Sequence, residues 1–150
     1  MRAVHGRKGL EVSAINDLAA PANLAYLLKY DSVYGRAKFS VESKEGALIV
    51  DGKEIQVVAS KDPAGSPWRD MQIDIVVEAT GLFTDAEKAK GHITAGAKHV
   101  VITAPAKGPI REPSASNGAG EMYVDTILIG ANEEKFQTCG PITSNASCTT

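Results

Sequence analysis

The stretch "IDIVVEATG", Ile73–Gly81, decides the fold class. Its first six residues, Ile73–Glu78, form a nearly continuous apolar run that passes into Thr80 and Gly81. Such a run predicts a strand of the buried, parallel kind. Next comes "DAEKAKGHITAG" (85–96), which predicts a helix despite Gly91, with Gly96 as its C-terminal cap. "AKHVVITAPAKG" (97–108) predicts a second strand running into a tight loop, and "TILIGAN" (126–132) a third. Strands alternating with helices imply an α/β layer fold.

Upstream, "LEVSAIND" (10–17) predicts a strand over Leu10–Ile15 with an acid at its C-terminal end. "APANLAYLLKY" (20–30) sets Leu24, Leu27 and Leu28 at helical spacing behind Pro21, a residue suited to a first helical turn. From Lys38 to Ser60 the period shortens. "KFSVES", "ALIVDG" and "KEIQVVAS" are short strands, and "DGK" at Asp51–Lys53 is a hairpin signal. "KDPAGSPW" (61–68) reads as a loop. "GPIREPSASNGAGEMY", Gly108–Tyr123, has almost no periodicity and is expected to be a solvent-exposed, flexible insertion without regular structure.

The totals exclude several classes of function. The chain has 150 residues, 43% hydrophobic and 23% charged, with a formal net charge of -2. No basic stripe offers itself to nucleic acid, and no apolar run reaches the ~18 residues of a membrane span. The start of the chain lacks the apolar core of a secretory leader. Two cysteines, Cys139 and Cys148, are too few for a disulfide scaffold and have no C-x-x-C spacing. They fit a reducing, cytoplasmic setting. No metal-ligand spacing occurs.

In a parallel sheet, ligands sit beyond the C-terminal strand ends. Those ends here are Asn16–Asp17, Ala79–Gly81, Thr103–Gly108 and the approach to Cys148. A carboxylate such as that of Asp17 can accept the hydroxyl protons of a nucleotide ribose and repel a 2′-phosphate; the alternative is a plain helix cap. Thr80 and Gly81 let a dinucleotide pass close to the backbone, or form a simple turn. Cys148, set between Ser147 and Thr149, is a nucleophile for a carbonyl carbon or a small buried thiol. His5, His92 and His99 read as surface residues, and none is an evident partner for Cys148. A G-x-G-x-x-G turn is absent; "RAVHGRKG" (2–9) looks like the tail of the helix that should follow one.

Taken together, "AINDL" (14–18), "LLKYDSVYGR" (27–36), "DIVVEATGLFTD" (74–85), "GAKHVVITAPAKG" (96–108) and "SNASCTT" (144–150) closely resemble the phosphorylating glyceraldehyde-3-phosphate dehydrogenase family. Erythrose-4-phosphate dehydrogenases share the framework. The likeness covers almost the whole chain apart from Gly108–Tyr123 and "EEKFQTCGP" (133–141). It implies an incomplete Rossmann-like, mostly parallel sheet with flanking helices, lacking the first strand and the glycine-rich turn. It implies NAD as cofactor, with NADP disfavoured by Asp17. Glyceraldehyde 3-phosphate and inorganic phosphate are the implied substrates, and the family assembles as homotetramers.

By resemblance, Cys148 is the catalytic nucleophile, and Ser147 and Thr149 line the substrate and phosphate site. Asp17 holds the adenosine ribose, Asn16 lies in the same loop, and Lys61 stands where the family often has an adenine-side arginine. Thr80, Gly81 and Phe83 flank the dinucleotide, Thr103 sits on the nicotinamide side, and Pro105 and Lys107 lie in the next loop. The family's histidine base and substrate domain would follow Thr150. The expectation is therefore a partial NAD-binding domain with little activity or NAD affinity by itself and no tetramer of its own. The alternative is a non-catalytic nucleotide-binding remnant.

Overall fold

A computed structural model describes residues 1–107 and 123–146. The proposed insertion, apart from Tyr123, lies outside the described residues, as do Ser147, Cys148 and Thr149. The chain divides into two compact units, Met1–Lys61 and Asp62–Thr150.

In the first unit, β1 (Ala14–Asn16) is followed by α1 (Pro21–Lys29), a two-residue ribbon of β2 (Tyr30–Asp31) and β3 (Gly35–Arg36), and then β4 (Val41–Lys44), β5 (Ala47–Val50) and β6 (Lys53–Val58). The sheet order is β1-β6-β5-β4. β1 runs parallel to β6, while the other two pairs are antiparallel hairpins. The "DGK" signal is realised as a tight turn with Asp51 at φ 47° and Gly52 at φ 79°. Two successive positive φ values match the right-handed twist of the flanking strands. Asp51 also ties the hairpin down, because its carboxylate accepts from the Ser40 amide at 2.7 Å.

The core of this unit is Ala25, Val41, Leu48, Val50 and Ile55, with Ile15, Leu24, Leu28 and Phe39 packed around it. Burying a side chain the size of Leu48 or Ile55 stabilises by about 1.5–3 kcal/mol. α1 presents Leu24 and Leu28, four residues apart, to that core; Leu27 is 65% exposed and not part of the stripe. The strand expected over Leu10–Ile15 is shorter and shifted, at Ala14–Asn16. Its ladder to β6 pairs only Ala14, Ile15 and Asn16, so the preceding residues have no partner strand to define them.

The second unit contains β7 (Ile75–Glu78), α2 (Ala86–Thr94), β8 (His99–Ile102), β9 (Asp125–Thr126) and β10 (Ile142–Ser144). Its sheet runs β7-β8-β10-β9 and is parallel throughout. The central strands are the most buried: Val100, Ile102 and Ile142 are fully enclosed. β7 is parallel as expected but not buried on both faces. It lies at the margin of the sheet, with Val76 and Glu78 inward and Ile75 and Val77 50% and 62% exposed.

"TILIGAN" does not remain a strand. The Asn132 side chain accepts from the Leu128 amide at 2.7 Å and donates to Thr126 O at 3.1 Å, which turns the chain after Ile127. A local side-chain bond has outcompeted the ladder there.

α2 starts at Asp85, whose carboxylate accepts from the Lys88 amide at 2.9 Å. Gly91 is explained by close approach. A Cβ there would stand 2.8 Å from Pro63 Cβ in the 3-10 turn Pro63–Gly65. Gly96, with φ 115°, ends the helix where a Cβ would meet the Arg69 backbone at 2.7 Å.

Two predictions follow from these contacts. Gly96→Ala adds backbone strain to a clash with main chain that cannot step aside, so it should cost about 2–4 kcal/mol in urea unfolding; an unchanged midpoint refutes the contact. The second concerns acid. The carboxyls of Asp31, Asp51 and Asp85 are held below the ordinary value, first of all by the amides of Tyr34, Ser40 and Lys88 respectively. A depressed folded value means that the stabilisation is complete above the unfolded value, about 3.9, and is lost as pH falls through the folded one. Thermal midpoints should hold from neutral pH to near that value and then drop. Asp51→Asn should flatten the drop, and an equally steep fall in the variant would count against it.

Candidate cofactor and catalytic site

The first unit brings the C-terminal ends of β1 and β6 side by side. The Asp17 amide donates to Val58 O at 3.0 Å. Asn16 straps the two ends together: its Nδ2 donates to Ser60 O at 2.9 Å and its Oδ1 accepts from Ser60 N at 2.8 Å. That places Asn16 as the strut holding Ser60 beside the exposed Lys61. Asp17 is exposed, and its Oδ1 accepts from the Ala19 amide at 2.8 Å. It does not cap α1, which begins at Ala20–Pro21 without a side-chain cap. Its Oδ2 has no protein partner among the described residues and stands free to accept hydroxyl protons.

The second unit gathers three strand ends at one margin of its sheet. The Thr103 amide and hydroxyl both donate to Glu78 O, at 3.0 and 3.3 Å. The Asn145 amide donates to Ile102 O at 3.2 Å, and Ser144 Oγ donates to Ala104 O at 2.6 Å. Thr80, Thr103 and Ala146 therefore share this margin. Ala146 has φ 69°, a left-handed conformation that costs a residue with a Cβ about 1–3 kcal/mol. Its amide donates to Ser144 Oγ at 3.1 Å, which holds the turn immediately before Ser147. The loop beyond Thr103 passes the exposed Pro105 and returns to the start of α2, with the Lys107 amide on Thr84 O at 2.9 Å.

Beneath that margin lies a polar cluster that the sequence reading did not single out. Glu78 is only 3% exposed, and His92 likewise, so His92 is not the surface residue expected. His92 Nε2 lies 2.9 Å from Glu78 Oε2, and Trp68 Nε1 donates to His92 Nδ1 at 3.0 Å. Glu78 Oε1 accepts from both the amide and the hydroxyl of Thr80. Phe83 sets its ring edge-on to His92 at 6.4 Å. Burial pushes the Glu78 carboxyl up, but the hydrogen bonds from His92 and Thr80 outweigh it, and the group is held below the usual glutamate value. The signal was present in the sequence: a carboxylate closing an apolar strand must have donors waiting. Which side chains supplied them was not readable.

These residues fit a dinucleotide in part. Asp17 offers a free carboxylate oxygen. Gly81, at φ 75°, has no atom within 4 Å of where a Cβ would sit, so its backbone is open to close approach. Nothing among the described residues forms a glycine-rich pyrophosphate cradle. Met1–His5 instead make a helical turn, with the Val4 and His5 amides on Met1 O. No cluster of three metal-ligating side chains occurs among the described residues, and no helix among them is long and apolar enough to cross a membrane. A surface depression of about 360 Å³, lined by Lys29, Arg36, Phe39 and their neighbours, involves none of the residues singled out above.

The Cys139 thiol is pushed up, first by burial and then by the carboxylate of Asp125, and it donates to Phe136 O at 3.4 Å.

Comparison with known proteins places the chain among relatives. The family model described as "Glyceraldehyde 3-phosphate dehydrogenase, NAD binding domain" matches residues 1–86. The glyceraldehyde-3-phosphate dehydrogenase of Thermotoga maritima is 47% identical over 151 aligned positions, which cover 99% of this chain and 41% of that protein. That of Clostridium acetobutylicum is 46% identical over 142 positions, 95% of this chain and 38% of the relative. That of Borreliella burgdorferi is 43% identical over 148, 95% and 40%. The chain thus spans about two-fifths of the length of these relatives. NAD is the cofactor of the domain it matches. With its Rossmann-like parallel strands and a match over more than half its length, the chain belongs to the glyceraldehyde-3-phosphate dehydrogenase family.

Proposed function

We propose that this chain supplies the NAD contacts and the nucleophile of a phosphorylating dehydrogenase that converts glyceraldehyde 3-phosphate and inorganic phosphate to 1,3-bisphosphoglycerate. The observation that carries the reading is the convergence of Thr80, Thr103 and Ala146 on one strand-end margin, with Ser147–Cys148–Thr149 next in the chain. Ligands of parallel α/β sheets bind at such margins.

In this reading Asp17 accepts from the adenosine ribose hydroxyls, and Asn16 holds the loop that carries it. Lys61 lies toward the adenine. Thr80, Gly81 and Phe83 flank the dinucleotide, and Thr103 faces its nicotinamide end. The Cys148 thiolate adds to the aldehyde carbon; a C–S bond forms and the carbonyl electron pair moves onto oxygen, giving a hemithioacetal. Bound NAD supplies the hydride acceptor for the oxidation. The resulting thioester on Cys148 is attacked by a phosphate oxygen, and the thiolate leaves to release the acyl phosphate. Ser147 and Thr149 hydroxyls orient the incoming anion. The raised Cys139 thiol supports the choice of Cys148, because a protonated sulfur is a poor nucleophile.

The test is the phosphate-dependent reduction of NAD by the natural protein. Cys148→Ser should remove turnover by about a thousandfold or more, whereas Cys139→Ser should leave it intact. Turnover surviving in Cys148→Ser overturns the assignment. Asp17→Ala should weaken NAD by about tenfold in a calorimetric titration while narrowing the preference over NADP.

A further inference from the structure

We propose that Trp68, His92 and Glu78 form a one-directional hydrogen-bond chain that presets the Thr80–Leu82 loop, making all three positioning residues for the dinucleotide. The proposal rests on the reading of that loop as a cofactor contact.

Every bond in the chain has only one possible direction. The Trp68 indole N–H can only donate, so His92 Nδ1 must be a bare acceptor at 3.0 Å. The imidazole is then neutral with its proton on Nε2, aimed at Glu78 Oε2 at 2.9 Å. The carboxylate can only accept, and its other oxygen takes the Thr80 amide at 2.8 Å together with the Thr80 hydroxyl. That hydroxyl has spent its proton and presents a lone pair to the Leu82 amide at 3.1 Å. Donors therefore run into Glu78 from both sides, and the loop amides are the outermost donors on one of them. Trp68, His92 and Glu78 are each no more than 4% exposed, so water cannot replace a missing partner. The 2.9 Å contact of His92 with Glu78 is thus a neutral imidazole donating to a carboxylate rather than an ion pair.

A packing role would need only volume, which glutamine conserves. The chain demands more. With Glu78→Gln, the amide oxygen can face His92, but then its NH2 opposes the Thr80 amide. Turned over, the NH2 opposes His92 Nε2–H, and His92 cannot move its proton to Nδ1 while Trp68 donates there. Trp68→Phe removes that obstruction. In the double variant the imidazole can take the other tautomer, accept from the glutamine NH2, and return the glutamine oxygen to Thr80.

The experiment is amide hydrogen exchange at Thr80 and Leu82, paired with NAD titration, in the natural protein and the three variants. Glu78→Gln should speed exchange at both amides and weaken NAD, each by about tenfold or more. Trp68→Phe alone unlocks the His92 tautomer without reversing a bond to Glu78, so it should speed exchange and weaken NAD by a smaller factor, about two- to threefold, and the double variant should recover most of the Glu78→Gln loss. Unchanged exchange in Glu78→Gln, or losses that add in the double variant, overturn the chain. If the natural protein binds NAD and Glu78→Gln loosens the loop without weakening NAD, the positioning role falls while the functional reading stands. If the natural protein binds no NAD, the functional reading fails first. Should Glu78→Gln not fold, the natural protein decides: a long-range ¹H–¹⁵N spectrum must show His92 protonated at Nε2 and bare at Nδ1, and a proton on Nδ1 refutes the proposal.

Discussion

A carboxylate that ends a strand with its side chain buried must be supplied with donors, and much of the second unit is arranged to supply Glu78. α2 has to lie close enough for His92 to reach across, and two glycines permit that. Gly91 lets the helix settle on Pro63, and Gly96 lets its end turn against Arg69. Asp85 fixes where the helix begins. Trp68 then closes the far side of the imidazole. The same carboxylate anchors Thr80, so the interior of the unit and its strand-end margin are one connected arrangement.

The first unit solves a smaller problem by similar means. Its parallel pair, β1 and β6, ends in a strap made by a single carboxamide that satisfies both backbone groups of Ser60. Asn is suited to this because it donates and accepts at once; Asp in its place could not donate. With Asn16 committed to structure, Asp17 is left exposed with an oxygen available. Adjacent residues at one strand end thus differ in role: one is bound into the backbone strap and the other is exposed.

Cys139 sits near the carboxylate of Asp125 and is partly buried, and both effects favour the thiol. The segment that leads to Cys148 leaves a strand whose end is bonded to its neighbours on both sides, through a turn at Ala146 held in a costly conformation. Strain of that kind persists where the surrounding bonds over-determine it, as the Ser144 hydroxyl does by accepting from the Ala146 amide and donating to Ala104 O.

Local chemistry alone was enough to read the Asp51–Gly52 hairpin, the α2 boundaries and the parallel character of β7 and β8, because each depends on nearest neighbours and on residues with few conformational options. The five stretches that together resemble the family were legible for the same reason: each is contiguous. Strand limits were less legible. β1 and β9 are as long as their ladders, and a ladder belongs to two distant segments. The apolar stripe of α1 was misjudged at Leu27, since spacing cannot say which side of a helix faces the core. The Trp68–His92–Glu78 arrangement was invisible, because its members are 10 to 24 positions apart and nothing local marks them as partners. Covalent neighbours and backbone preferences determine what a segment can be; only packing decides which buried donors meet which acceptors, since that depends on where separate elements come to rest.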